Sequence, residues 1–144
     1  MTPICSTTSD TTSVALSWLF FEIYRHPEIE HKVLTEIMEV LGNNDLVGYE
    51  ELKQFRYLEM VIKESLRLHP PVYLYARTTT EPTVLGEFTI PTGVEVVIPV
   101  YALHRNPRYW ENPEVFNPER FTPENSQFRH PFAFLPFSAG SRNW

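Results

Sequence analysis

The chain has 144 residues, of which 42% are hydrophobic and 14% aromatic, so it can build one domain with a core and is not a disordered tail. Its formal net charge of −6, without a cluster of Lys or Arg, argues against nucleic acid as the main partner. The single cysteine, Cys5, excludes an internal disulfide, and no apolar run is long enough to span a bilayer.

The first predicted helix covers residues 7–25, where a hydroxyl-rich run leads into an apolar segment. The default interpretation of Asp10 or Thr11 is a cap for this helix, because their side-chain oxygens accept hydrogen bonds from first-turn N–H groups. The alternative is a proton relay, in which a carboxylate and a neighbouring hydroxyl pass protons to a buried reacting group. Both interpretations stay open on the residues alone.

A second helix is predicted over residues 27–41, because Pro27 suits the first turn of a helix and Gly42 its end. The expected core stripe of this helix consists of Ile29, Val33, Leu34, Ile37 and Leu41. Glu28 and Lys32 are expected to pair on its outer face. We therefore predict a structural role for this helix and no chemistry.

After a short predicted helix at residues 49–52, a further helix is predicted over residues 57–68, and it ends before Pro70 and Pro71, which cannot continue it. Glu64 and Arg67 stand three residues apart, so they share one side of the helix and can form an ion pair. A solvated pair of this kind contributes only a few tenths of a kcal/mol. If the pair is covered instead, it needs further partners elsewhere in the chain, because buried ions are stable only when fully hydrogen-bonded.

Residues 72–100 contain three segments rich in β-branched and aromatic residues, separated by turns, which predicts a small antiparallel sheet. With the helices, this gives a mainly α fold with a small antiparallel β-sheet (α+β). Arg77 lies in the first of these strands. It is either an ordinary exposed strand charge or a group that holds an anion.

Residues 107–136 contain six of the 13 prolines of the chain, interleaved with aromatic residues and without periodicity. We interpret this stretch as an ordered meander, because so much aromatic surface has to be buried somewhere. Arg120 in this meander is then a candidate third member of the Glu64–Arg67 pair, since it could satisfy the same carboxylate from a distant segment.

Residues 137–144 read Phe-Ser-Ala-Gly-Ser-Arg-Asn-Trp. A small-residue turn around Gly140 lets the backbone approach a flat ligand closely, while the guanidinium of Arg142 can take an anionic group. Phe137 flanks this turn. The segment is therefore a candidate ligand-binding loop.

Together these pieces resemble the C-terminal portion of a cytochrome P-450 monooxygenase. Glu64-x-x-Arg67 with Arg120 in Pro-Glu-Arg-Phe resembles the Glu–Arg–Arg lock of that family, and residues 137–143 resemble its haem-binding loop. These two motifs and the Asp10-Thr11 pair occur in the same order as in the family. The resemblance extends over nearly the whole chain, from about residue 7.

The resemblance also implies roles for individual residues. Asp10-Thr11 resembles the acid–threonine pair of the long central helix of the family, which handles protons for oxygen activation. The implied haem-binding residues are Arg77, Phe137, Gly140 and Arg142. Glu64, Arg67 and Arg120 would form a structural triad.

Residues 129–137 are most similar to family-4 enzymes, many of which hydroxylate fatty acids. The implied parent enzyme inserts one oxygen atom into a lipid-like substrate, using haem, molecular oxygen and NADPH electrons from a cytochrome P-450 reductase. It would lie at the cytosolic face of the endoplasmic reticulum membrane, held by an N-terminal anchor that has no counterpart here.

Trp144 stands where the family has the cysteine whose thiolate is the axial iron ligand. Tryptophan offers only an N–H donor, so no metal-ligating residue is predicted in this chain. We therefore expect an inactive fragment of a haem-thiolate enzyme. The alternative is a non-catalytic splice product or pseudogene remnant that acts, if at all, through protein interaction.

Overall fold

A computed structural model describes residues 4–42 and 46–139 of the chain, with side chains from residue 10. The helices are α1 (Ile4–Arg25), α2 (Pro27–Leu41), α3 (Tyr49–Leu52), α4 (Arg56–Leu68), α5 (Val100–Leu103) and α6 (Pro123–Ser126). The strands are β1 (Tyr75–Thr78), β2 (Thr83–Leu85), β3 (Phe88–Ile90) and β4 (Glu95–Ile98). The fold is thus mainly helical with small antiparallel sheets, as the sequence predicts.

The core lies where α1, α2 and α4 pack against one another. Its buried apolar side chains are Leu19, Ile29, Val33, Val61, Leu68 and Phe116. Phe116 comes from the meander, so this segment closes the core from the side of α4. Within the described ranges, no helix is long and apolar enough to cross a membrane.

The expected antiparallel β-structure is present as two separate two-stranded sheets. β1 pairs with β4, and β2 pairs with β3, both antiparallel. β2 and β3 are joined by a two-residue loop in which Gly86 has a φ of 61°, a conformation that favours glycine. Pro82 and Pro91 flank this hairpin, and because proline lacks an N–H donor it separates the two ladders.

α1 begins at Ile4, well before the acid–threonine pair. Asp10 and Thr11 therefore lie in the helix interior, and the interpretation of either residue as a helix cap is wrong. The serine and threonine run does not stop the helix; the hydroxyl of Ser13, for example, donates to the backbone oxygen of Asp10 at 2.9 Å.

α2 lies between Pro27 and Gly42 as predicted, and the N–H of Gly42 donates to Met38 O at 2.9 Å. Two details of its surface differ from expectation. Leu34 is exposed, so the core stripe is narrower than predicted. Lys32 forms its ion pair with Glu119 of the meander, at 3.0 Å, rather than with Glu28, because the meander passes beside this face.

The start of α4 is capped by a side chain from α2. Phe55 precedes the helix and has no capping side chain of its own. The carboxylate of Glu36 instead accepts the backbone N–H groups of Tyr57 at 2.7 Å and Leu58 at 2.9 Å. Because the first N–H groups of a helix lack partners within it, this contact fixes where α4 begins and ties it to α2.

Candidate functional site

Glu64 and Arg67 form a fully buried ion pair near the end of α4, and each side chain is 0% exposed. Arg67 Nε donates to Glu64 Oε2 at 2.7 Å, and Nη2 donates to Oε1 at 2.8 Å. This is the two-bond geometry in which a guanidinium and a carboxylate fit best. The alternative of a solvated surface pair is therefore wrong.

The remaining hydrogen-bonding capacity of the pair is directed at the meander. Arg67 Nη1 donates to His104 O at 2.9 Å and to Pro113 O at 2.7 Å, and Nη2 also donates to Val115 O at 3.2 Å. Glu64 Oε1 accepts the N–H of Asn117 at 2.9 Å. Buried ions that are satisfied in this way hold distant backbone in one arrangement.

Arg120 is brought to the same carboxylate, with Nε at 3.4 Å from Glu64 Oε1 and a side chain that is 10% exposed. The contact is an ion pair rather than a hydrogen bond, since Arg120 Nε has no hydrogen-bond partner among the described residues. Its Nη2 donates to Asn112 O at 2.9 Å. Glu64, Arg67 and Arg120, which we call the lock, therefore meet at one point.

His104 extends the lock toward the candidate loop and was missed by the sequence analysis. Its ring is 0% exposed, and Nε2 accepts the N–H of Leu135 at 2.8 Å while Nδ1 lies 3.2 Å from Arg67 O. Only a neutral ring with its proton on Nδ1 makes both bonds. Burial lowers the pKa of His104 to about 4, which keeps the ring in that form.

An apolar cavity of about 330 Å³ lies between α1, α4 and the segment before the candidate loop. Its walls include Thr11, Ala15, Leu19, Leu66, Val72 and Phe137. Because almost all of this surface is hydrocarbon, the cavity suits an apolar ligand held by contact area rather than by hydrogen bonds.

Arg77 and Tyr75 connect β1 to one edge of this cavity. Tyr75 lines the cavity, its hydroxyl donates to Pro136 O at 2.9 Å, and burial raises its pKa. Arg77 is exposed; Nη1 donates to Ala76 O at 2.9 Å and Nη2 to Ser138 Oγ at 3.3 Å. The guanidinium therefore lies beside the chain just after Phe137.

The structure separates the two members of the acid–threonine pair. Thr11 is half-buried and lines the apolar cavity, whereas Asp10 is exposed and lies outside its lining. Gly140, Arg142 and Trp144 lie outside the described residues. Of the predicted cofactor-binding residues, Arg77 and Phe137 are thus the two whose positions can be compared. Phe137 lines the apolar cavity, and Arg77 lies outside its lining, bonded to Ser138, the residue after Phe137.

A second buried acid was also missed. Glu22 of α1 is buried, its Oε1 lies 2.7 Å from His69 Nε2, and its Oε2 lies 3.5 Å from His26 Nδ1. Trp18 stacks on the His69 ring with centroids 4.0 Å apart. In the sequence, the signal for this site was an acidic residue inside an otherwise apolar run.

In the described part of the chain, no group of acidic, histidine or cysteine side chains is arranged to hold a metal ion.

These features are those of a known family. The sequence profile of cytochrome P450 matches residues 4–143, and the chain belongs to the cytochrome P450 family. The resemblance found in the sequence is thereby confirmed.

Three of the relatives carry family-4 designations. The chain is 50% identical over 135 residues to human cytochrome P450 4V2 and 47% identical over 137 residues to rat cytochrome P450 4F6, and in each case 93% of this chain aligns with 26% of the relative. It is 44% identical over 135 residues to cytochrome P450 4c21 of Blattella germanica, covering 27% of that protein. The chain spans about a quarter of the length of the curated relatives it matches.

Proposed function

We propose that the protein is a haem-thiolate monooxygenase of the family-4 type, which inserts one oxygen atom into a lipid-like substrate, and that this chain supplies part of its haem site. The observation that carries the proposal is the apolar cavity bordered by α1, α4 and Phe137. Its walls come from the three segments that carry the sequence motifs: α1 with the acid–threonine pair, α4 with the Glu64–Arg67 pair, and the start of the candidate loop at Phe137.

The described residues fit a haem group. A porphyrin is a flat apolar ring with two carboxylates, and the cavity offers apolar walls with a cation, Arg77, at the neighbouring edge. Arg77 and Phe137, together with Gly140 and Arg142 of the candidate loop, would hold the ring and its carboxylates. When bound, haem supplies the activation of molecular oxygen with electrons that NADPH delivers through a cytochrome P-450 reductase.

We propose that Thr11 and Asp10 carry a proton toward this cavity. Asp10 is exposed and can exchange protons with water, while its neighbour Thr11 presents its side chain to the cavity. We assign the hydroxyl of Thr11 the last position of the relay and Asp10 the solvent end. The resemblance of residues 129–137 to family-4 enzymes is the basis on which we propose a lipid-like substrate and an endoplasmic reticulum membrane location for the whole protein.

The haem contact can be tested by titrating the chain with haem and following the Soret absorbance. Arg77→Gln is expected to weaken binding about fivefold, because one charge-assisted contact to a carboxylate is lost. Arg56→Gln, an exposed arginine at the start of α4, is the matched control and should bind like the wild type. Equal affinities for the two variants would contradict the assignment of Arg77.

Trp144 carries the proposal that this chain is inactive as it stands, because its indole cannot supply the thiolate. The reduced carbon monoxide spectrum of the haem-loaded chain is expected to lack a thiolate-type Soret band, and Trp144→Cys is expected to produce one. A thiolate-type band from the unaltered chain would refute the proposal that this chain is inactive. A Trp144→Cys variant that binds haem without the band would contradict the assignment of residue 144 to the family's axial cysteine position.

The lock is proposed to hold the meander so that Leu135 and the candidate loop are fixed through His104. A double-mutant cycle between Glu64→Gln and Arg120→Gln should give a coupling free energy of about 1 kcal/mol in urea unfolding, since both groups are buried. The exposed Glu50–Lys53 pair, at 2.8 Å, is the control and should couple by less than about 0.5 kcal/mol. Coupling near zero in the lock would count against this role.

A further inference from the structure

A second cavity, of about 550 Å³, lies on the meander and has a lining that is about half polar. Its polar residues include Arg108, Asn117, Arg120, Asn125, Arg129 and His130. The volume is in the range of small-molecule sites, roughly 300 to 1,000 Å³. The lock accounts for Arg120, but neither the lock nor the apolar cavity accounts for Arg108 and Arg129 beside the same open space.

Arg129 is held rigidly at this cavity without an acidic partner. Its guanidinium lies 4.1 Å from the ring centroid of Trp110 and 5.3 Å from that of Phe121. Nη2 donates to Arg120 O at 2.6 Å and to Asn125 O at 3.5 Å. Among the described residues, no carboxylate lies within ion-pair distance of Arg129. A stacked guanidinium of this kind loses little conformational entropy when it binds an anion.

The lock behind the cavity does not supply the missing negative charge. Glu64 is the one carboxylate that both Arg67 and Arg120 contact in the described part of the chain. Burial lowers the pKa of Arg129, the Glu64 carboxylate opposes this, and the charges of Arg120 and Arg67 add to it. Arg67 and Arg120 therefore pair with one carboxylate, and Arg129 has none within ion-pair distance among the described residues, so part of the positive charge is left without compensation.

The rim adds a further positive charge. Arg108 is exposed and lines the cavity, and the acidic side chain that lines it with Arg108 is Glu111. Two other acidic residues of this part of the chain form ion pairs elsewhere: Glu114 pairs with Arg105 at 3.1 Å and Glu119 with Lys32 at 3.0 Å. The cavity is thus locally positive on a chain whose net charge is −6.

We propose that this cavity binds a small molecule that carries a phosphate group. Phosphate offers several acceptor oxygens and more than one negative charge, which match the planar forks of Arg108, Arg120 and Arg129 better than a single carboxylate does. A free phosphate compound and the headgroup of a phosphate-bearing lipid share this chemistry.

The test uses the 144-residue chain and pyrophosphate in a calorimetric titration, with ionic strength held constant by chloride. Arg108→Gln should weaken binding about fivefold, and Glu111→Gln should strengthen it by a similar factor, since charges close to the ligand act with opposite sign. Both residues are exposed, so the variants should fold. Arg56→Gln, away from the cavity, is the matched control and should leave the affinity unchanged.

A second titration separates the two sources of the phosphate group. Vesicles of phosphatidylcholine with and without phosphatidic acid replace pyrophosphate in a flotation assay. Binding of pyrophosphate alone supports a soluble ligand, and binding of phosphatidic acid vesicles that Arg108→Gln weakens supports a lipid headgroup. The proposal is overturned if neither probe binds, or if Arg108→Gln and Glu111→Gln bind pyrophosphate with the affinity of the wild type.

Discussion

The buried ring of His104 makes the stability of this chain depend on pH in a direction that the structure fixes. The folded state holds the neutral ring between Arg67 O and Leu135 N, whereas the unfolded chain leaves it free to take a proton. His104→Gln is the matched perturbation. A glutamine amide can donate to one of these backbone groups and accept from the other, but it does not titrate.

The magnitude follows from the pKa of His104, about 4 in the folded protein against the ordinary 6.5. Since one pKa unit corresponds to about 1.4 kcal/mol, lowering the pH from about 6.5 to about 4 destabilises the folded state by about 3 kcal/mol relative to the unfolded chain. The sign follows from the lowered pKa. The contribution is fully present above about pH 6.5, falls as the unfolded chain takes up its proton, and is gone by about pH 4.

Urea unfolding at about pH 7 and about pH 4.5 measures this contribution as the difference between the wild type and His104→Gln. On going to the lower pH, the free energy of unfolding of the wild type should fall by about 2 to 3 kcal/mol more than that of the variant. His31→Gln, which alters an exposed histidine of α2, should follow the wild type and controls for the general effect of acid. If His104→Gln retained the pH dependence of the wild type, the assignment of a neutral, doubly bonded ring would be refuted.

Two further predictions concern the helices. Glu36→Ala removes the carboxylate that caps α4 and should lower the free energy of unfolding by about 1 kcal/mol. Glu39→Ala, at an exposed residue of α2, is the control and should change it little. Urea unfolding measures both variants. Leu19→Ala should lower the free energy of unfolding by about 2 to 5 kcal/mol, because Leu19 is 8% exposed and lies in the core. Phe20→Ala, at a residue that is 66% exposed, should change it by less than about 0.5 kcal/mol. Equal losses in the two variants would contradict the observed orientation of α1.

Features of the fold that depend on nearby residues could be predicted from the sequence. Pro27 and Gly42 mark the ends of α2, and Pro70 lies just after α4, because proline and glycine act on the backbone where they stand. The Glu64–Arg67 pair could be predicted for the same reason, since a spacing of three places two side chains together on any helix.

Features that depend on distant segments could not be predicted in the same way. The carbonyl groups that Arg67 binds carry no signature in the sequence, because every residue has one. Lys32 had a plausible partner in Glu28 on its own helix, but the meander supplies Glu119 instead. His104 gave no signal either, since a single histidine next to an apolar segment is compatible with many environments.

The lock also determines how the meander can open. Glu64 and Arg67 lie on one turn of α4, yet the backbone groups they bind at His104 and Asn117 are 37 and 53 residues away from them along the chain. Local opening of the meander would leave two buried ions without their backbone partners, so it carries the cost of unsatisfied buried charge in addition to the contacts that are lost. The amide hydrogen of Asn117 should therefore exchange with solvent only when the whole domain unfolds, and native-state hydrogen exchange should find α4 and the meander in a single cooperative unit.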